Sequence, residues 1–199
     1  MGVLTLLRPG LTPYGDAWQL QQRVAAEVRA GAGATLILLE HPPTYTLGAR
    51  GKTEHLLLSE TALLADGAAV HRTDRGGDVT YHGPGQIVGY PIMSLRRLGL
   101  GPVAYVRSLE ALLIDVLSRF GIVAGRSDRN RGVWVGGAKI AAIGVRVSGG
   151  VSTHGFALNV NTDLVRFQRI IPCGLAGVGV TSMQQLTGET FDIDRKSVV

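Results

Sequence analysis

Lys139-Ile140-Ala141-Ala142-Ile143-Gly144-Val145-Arg146-Val147, then Ser148-Gly149-Gly150, then His154-Gly155-Phe156-Ala157-Leu158-Asn159-Val160 are read as two strands closed by a glycine turn. Two short apolar runs separated by Gly-Gly carry the signal of a β-hairpin. Strand-like runs lie on the N-terminal side of it: Gly132 to Val135, Ile87 to Met93, Ala69 to Arg72, Thr35 to Leu39 and Val3 to Leu7. Arg8-Pro9-Gly10 is expected to stop the first of these. Thr44 to Gly48 reads as a short strand or an irregular loop.

Two long helical patterns interrupt the strands. Tyr14, Ala17, Trp18, Gln21, Val24, Ala25 and Val28 recur at helical spacing, behind Thr12 as N-cap and Pro13 at the first helical position, with Gly31 at the end. Pro102 opens the second, through Tyr105, Leu109, Leu112, Leu113, Val116, Leu117 and Phe120 to Gly121. Shorter helices are expected behind Ser59-Glu60, behind Thr162 and behind Thr181. Strands joined by hairpins, with a few helices between them, imply an α+β fold: a mixed β-sheet with packed helices. No repeat, low-complexity stretch or linker divides the chain, so residues 1–199 are expected to form one domain.

The formal charge is +5 and the chain has one cysteine. One thiol permits no internal disulfide and suits a reducing compartment. The opening Met1 to Leu7 lacks the charged leader of a signal peptide, and no apolar run approaches a membrane span. The basic balance suits either ordinary solubility or attraction to acidic partners, and the arginines are scattered with few aromatics among them, which is weak support for a nucleic-acid groove. The five histidines show no metal-ligand spacing, and no Gly-x-Ser-x-Gly elbow is present.

Cys173 stands between Pro172 and Gly174, in loop-forming rather than strand-forming company. A thiolate is a strong nucleophile whose thioester stays reactive, provided a nearby cation lowers its pKa. Lys139 is the candidate cation. In a regular strand it shares a face with Ala141, Ile143 and Val145, and partial desolvation there would lower its own pKa. Arg75-Gly76-Gly77-Asp78-Val79-Thr80-Tyr81-His82-Gly83-Pro84-Gly85-Gln86 is neither a P-loop nor a dinucleotide fingerprint. Its glycines suit close backbone approach to a ligand. His82 suits either polarisation of a carbonyl or a structural role. Gly155 and Ala157 leave room beside a strand, and Phe156 offers an apolar wall.

These stretches together resemble the lipoyl(octanoyl) transferases: Arg75 to Gln86, Gly137 to Val145, His154 to Val160 and Pro172-Cys173-Gly174, in order from about Leu36 to Leu186. The resemblance implies the fold of the biotin and lipoate protein ligase catalytic domains. It implies transfer of octanoyl from octanoyl-acyl carrier protein to a lysine of lipoyl domains, including those of 2-oxoacid dehydrogenase complexes and the glycine cleavage H protein. Cys173 would carry the acyl group and Lys139 would lower its pKa and move protons, with His82 the other candidate for the second transfer. Arg75, Gly76, Gly77, Asp78, Val79, Thr80, Tyr81 and His82 would line the substrate site with Ala142, Ile143, Gly144, Gly155, Phe156 and Ala157. No cofactor or metal is implied, and no nucleic-acid or membrane partner; the protein would be a cytoplasmic monomer. Two other readings stay open. One is an ATP-dependent lipoate or biotin ligase on the same fold, which needs no nucleophilic cysteine. The other is a non-catalytic module that binds acyl carrier protein.

Overall fold

The structure is a computed structural model and describes residues 4–128, 130–171 and 179–193. Its strands form two sheets. With β1 at Leu4–Leu11, β2 at Ala34–Glu40, β6 at Gln86–Ile92, β7 at Val133–Val135, β8 at Ala138–Ser148 and β9 at Val151–Asn159, the larger has the order β1-β2-β6-β9-β8-β7. Only β1 and β2 run parallel in it; every other neighbouring pair is antiparallel, so the sheet is mixed as expected. The smaller sheet has the order β4-β3-β5, with β3 at Thr44–Leu47, β4 at Ala69–Arg72 and β5 at Val79–His82.

Side-chain alternation gives the large sheet two apolar faces. Leu39, Val88 and Ala157 are register partners along one row, and they bury against Ala17, Val24, Ala25 and Val28 of α1 (Tyr14–Arg29). The next row, Leu38, Gly89, Phe156 and Ile143, faces the other way. There Leu38 and Phe156 pack with Leu113 and Leu117 of α3 (Pro102–Ser118). Burying each such aliphatic side chain stabilises by about 1.5–3 kcal/mol. The small sheet has its own cluster, Tyr45, Leu47, Val79 and Tyr81, closed by Leu63 of α2 (Glu60–Ala65) and by Phe167 of the 3₁₀ turn Leu164–Arg169.

Several local expectations need correction. β1 does not stop at Arg8-Pro9-Gly10 but continues to Leu11, with irregular pairing between Leu7 and Gly10. It is an edge strand, where a residue without an N–H donor is tolerated. Thr12 does not cap α1: Pro13 occupies the cap position and the Thr12 hydroxyl donates to Gly10 O. Asp163, not Thr162, caps the 3₁₀ turn, because the Thr162 hydroxyl donates to Gly85 O. Ser182, not Thr181, caps α4 (Met183–Thr187).

The strand that carries Lys139 is not regular either. Val133 pairs with Ala141 and Trp134 with Lys139, so β8 has one residue more than β7 between these two pairings. This β-bulge sits at Ile140. Ile140 and Ala141, adjacent in sequence, are both fully buried in the core cluster on the α3 side. Lys139 is therefore turned away from Ala141, onto the face of Ala142 and Gly144.

Candidate active site

A cavity of about 360 Å³ opens on the α1 side of the large sheet. The loop between β4 and β5 meets the sheet there. Gly76 N donates to Val145 O at 3.0 Å, and a Cβ on Gly144 would lie 2.6 Å from Gly76 O. Glycine at 144 thus allows the contact between loop and strand. The loop is also held from within: buried Arg75 donates to Thr46 O (2.6 Å), Thr46 Oγ1 (2.9 and 3.1 Å), Asp78 O (2.7 Å) and Gly76 O (3.1 Å).

The cavity brings together Arg75, Gly76, Gly77, Asp78, Val79, Thr80 and His82 with Lys139, Ala142, Ile143, Gly144, Gly155, Phe156 and Ala157. Tyr81 stands apart from them; its ring is buried between Tyr45 (5.1 Å) and Phe167 (5.5 Å). Cys173 lies outside the described residues. The chain before it is anchored where Ile171 N donates to His55 O at 2.9 Å. The chain after it is anchored on Lys139 itself: Lys139 N donates to Gly179 O at 2.9 Å, and Thr181 N donates to Lys139 O at 3.0 Å. Lys139 is 6% exposed, and its Nζ lies 4.8 Å from the centre of the Trp134 ring.

A polar chain runs across the back of the site. Gln86 Nε2 donates to Tyr81 O (3.1 Å) and to Asn159 Oδ1 (2.9 Å), so its Oε1 is the atom that accepts from His82 Nδ1 at 2.8 Å. That assigns the proton of His82 to Nδ1 and leaves Nε2 to accept from the Thr46 hydroxyl at 3.3 Å. Asn159 Nδ2 then donates to Thr181 O at 3.0 Å. The chain thus reaches from Arg75 through Thr46, His82, Gln86 and Asn159 to Thr181, whose N–H donates to Lys139 O. Burial holds the His82 pKa well below the usual imidazole range, and His41 and Arg75 add to the effect. His82 is a neutral, doubly partnered imidazole.

Tyr14, Val88, Tyr90 and His154 complete the inner wall, and Arg50, Asn130 and Arg131 the outer one. His154 opens the His154 to Val160 stretch, whereas Tyr14, Val88 and Tyr90 carry no motif signal. They are recruited by packing, as Tyr14 shows by standing within ring contact of His41, His71 and His82. His154 has a left-handed φ of 56°, the one non-glycine residue of that kind among those described. Its Nε2 lies 2.7 Å from Asp74 Oδ1.

Residues 13–197 match the lipoyl protein ligase A/B catalytic domain. The chain belongs to that family. Within the lipoyl protein ligase A/B family it groups with octanoyltransferases. The one from Roseiflexus sp. (strain RS-1) is 52% identical over 193 residues, covering 95% of this chain and 80% of its own length. That of Solibacter usitatus (strain Ellin6076) is 50% identical over 190 residues, covering 92% and 86%. A lipoate-protein ligase A bound with ATP superposes with a TM-score of 0.75 at 19% identity, covering 96% of this chain and 79% of that one. The bi-partite lipoate protein ligase of Thermoplasma acidophilum gives 0.74 at 19% identity, covering 97% and 78%. At that identity these two establish the fold, which is the one the resemblance implied. This member of the family is an enzyme, an acyl-transferring octanoyltransferase.

Proposed function

We propose that the protein, as a single catalytic domain, moves octanoyl from octanoyl-acyl carrier protein to the target lysine of lipoyl domains through a thioester on Cys173. The acceptors are the lipoyl domains of 2-oxoacid dehydrogenase complexes and the H protein of glycine cleavage, and the protein works as a cytoplasmic monomer. The observation that carries the reading is that Lys139, buried in β8, opens on the same cavity as Val88, Ala142 and Ala157, an apolar lining suited to a short acyl chain.

In the first half-reaction the Cys173 thiolate attacks the thioester carbonyl, the carbon–sulfur bond to the carrier breaks, and the carrier thiolate leaves with the proton of the Lys139 ammonium, which becomes the free amine. Backbone N–H groups of the glycine turns hold the oxyanion. In the second, the lysine amine of the lipoyl domain attacks the Cys173 thioester, Lys139 accepts the amine proton, and the amide departs as the Cys173 thiolate re-forms. His82 supports this chemistry as a neutral group, since both ring nitrogens already have partners; that leaves Lys139 the better candidate for the second proton transfer. The loss of one buried methylene costs about 0.8 kcal/mol, so cavity depth selects chain length. Edge strand β1, irregular at Arg8 and Pro9, is poorly suited to adding a strand from a second copy, in keeping with a monomer. No helix among the described residues is long and apolar enough to cross a membrane.

Incubation with octanoyl-carrier protein and no ATP should add one octanoyl group to the peptide that contains Cys173, read by mass spectrometry. The group should then pass to an added lipoyl domain. An unmodified thiol, or transfer that needs ATP, would overturn the proposal.

A further inference from the structure

We propose that Arg50 and Arg131 form an anion subsite at the cavity mouth that takes the phosphodiester of the phosphopantetheine arm bearing the acyl group. The inference rests on the donor assignment above and adds to it where the charge of that donor is read.

The cavity has a depth axis. Tyr14, Val88, Tyr90 and Ala157 are almost wholly buried, whereas Arg50 and Arg131 are exposed. Of the cations on the lining, Arg75 spends its donors on the loop and Lys139 lies against Trp134. Neither the Arg50 nor the Arg131 guanidinium has an ion pair or hydrogen bond among the described residues. The one carboxylate on the described lining, Asp78, lies 2.7 Å from His55 Nδ1 and accepts from Val79 N.

Both arginines stand on pinned backbone. Arg50 N donates to Gly77 O at 3.1 Å, and its neighbour Ala49 N donates to Arg75 O at 2.9 Å. Arg131 lies between Asn130, whose carbonyl accepts from Trp134 Nε1 at 3.2 Å, and Gly132, whose N–H donates to Glu110 Oε1 at 3.1 Å. Gly132 has a φ of +126°, and a Cβ there would lie 2.4 Å from Ala141 O and 3.5 Å from Lys139 Cε. Arg131 thus leaves the backbone beside the catalytic lysine, and Arg50 leaves it from the substrate loop.

An acyl thioester is neutral, and the inner wall suits it. Two guanidiniums at the mouth with no ion pair among the described residues suit an anion, and on the pantetheine arm the phosphodiester is the charged group. Guanidinium donors match phosphate oxygens in geometry as well as charge.

The test compares octanoyl-phosphopantetheine with octanoyl-pantetheine, which lacks the phosphate, as acyl donors in single-turnover acylation of the enzyme. The unsubstituted enzyme should favour the phosphorylated donor by about tenfold in kcat/KM. That ratio should fall toward one in Arg50→Gln, in Arg131→Gln and between 0.05 and 0.5 M salt; Arg→Lys at either position should restore part of it. Both side chains are exposed, so an unchanged Tm is expected and checks the fold. A ratio near one in the unsubstituted enzyme, or one untouched by either substitution, would overturn the subsite. So would an effect confined to the KM for the lipoyl domain, which would assign the two arginines to an acidic protein face. Absence of acylation by either small donor and by octanoyl-carrier protein would instead defeat the donor assignment itself.

Discussion

Lys139 and Trp134 are cross-strand partners, and the ammonium of one lies 4.8 Å from the ring centre of the other. The ring gives the amine an apolar seat beside the cavity. A general acid–base group contributes about 10²–10⁴-fold. Lys139→Met should lower single-turnover octanoyl transfer by at least about a hundredfold and move alkylation of Cys173 to higher pH. Loss of less than tenfold would remove the lysine from the chemistry. Trp134→Leu, which leaves the amine in place, should cost less.

Asn159 links Gln86 to Thr181 and through it to the backbone of Lys139. Asn159→Leu leaves Thr181 O and one Gln86 donor site unpaired in a buried place. That should destabilise the fold by about 1–3 kcal/mol in urea unfolding. Activity should fall through kcat more than KM, because the residue positions Lys139 without lining the cavity.

Ala157 sits between Val88 and Ala142 in one row across three strands, at the inner end of the cavity. A larger side chain there shortens the apolar slot. Ala157→Leu should lower the octanoyl-to-hexanoyl ratio of kcat/KM by about tenfold or more, measured with donors of six, eight and ten carbons. An unchanged ratio would place the chain end elsewhere.

His41, His82 and His154 surround Tyr14 as neutral imidazoles. Burial is the main cause in each; it brings His41 down to about 4, and His82 and His154 also fall. The groups facing them include His71 and the Thr12 carbonyl beside His41, Arg75 and Gln86 beside His82, and Asp74 with Arg146 beside His154; the Thr12 carbonyl, Gln86 and Asp74 favour the charged form, and burial outweighs them. Because the folded-state values lie below the unfolded value near 6.5, the unfolded chain binds more protons below that pH. Stability should therefore be full above about pH 6.5 and fall as pH drops toward 4. His41→Gln should flatten that slope in urea unfolding followed between pH 4 and 7.

The elements signalled by local chemistry were legible in the sequence. The Gly149-Gly150 hairpin, the Ser59 cap, the proline start of α3 and the Ala69–Arg72 strand depend on neighbouring residues, and each forms. The gathering of Lys139 with the Arg75 loop and the Gly155 strand came through the resemblance, since spacing cannot show which strands adjoin. The bulge at Ile140 was invisible because the run reads as continuous alternation; only the shorter partner β7 exposes the extra residue. The division into two sheets, the Thr46–His82–Gln86–Asn159 chain and the place of Tyr14 depend on contacts between distant segments, which one sequence does not encode in any local pattern.

The extra residue in β8 makes the enzyme sensitive to a kind of change that substitutions do not sample. Deleting Ile140 would let the two strands pair evenly and would rotate the lysine out of the cavity toward the α3 core, although every side chain proposed for the chemistry would still be present. Such a deletion variant would separate possession of the reactive groups from their orientation, and homologues that differ in length just before this strand would be expected to compensate elsewhere in the pairing.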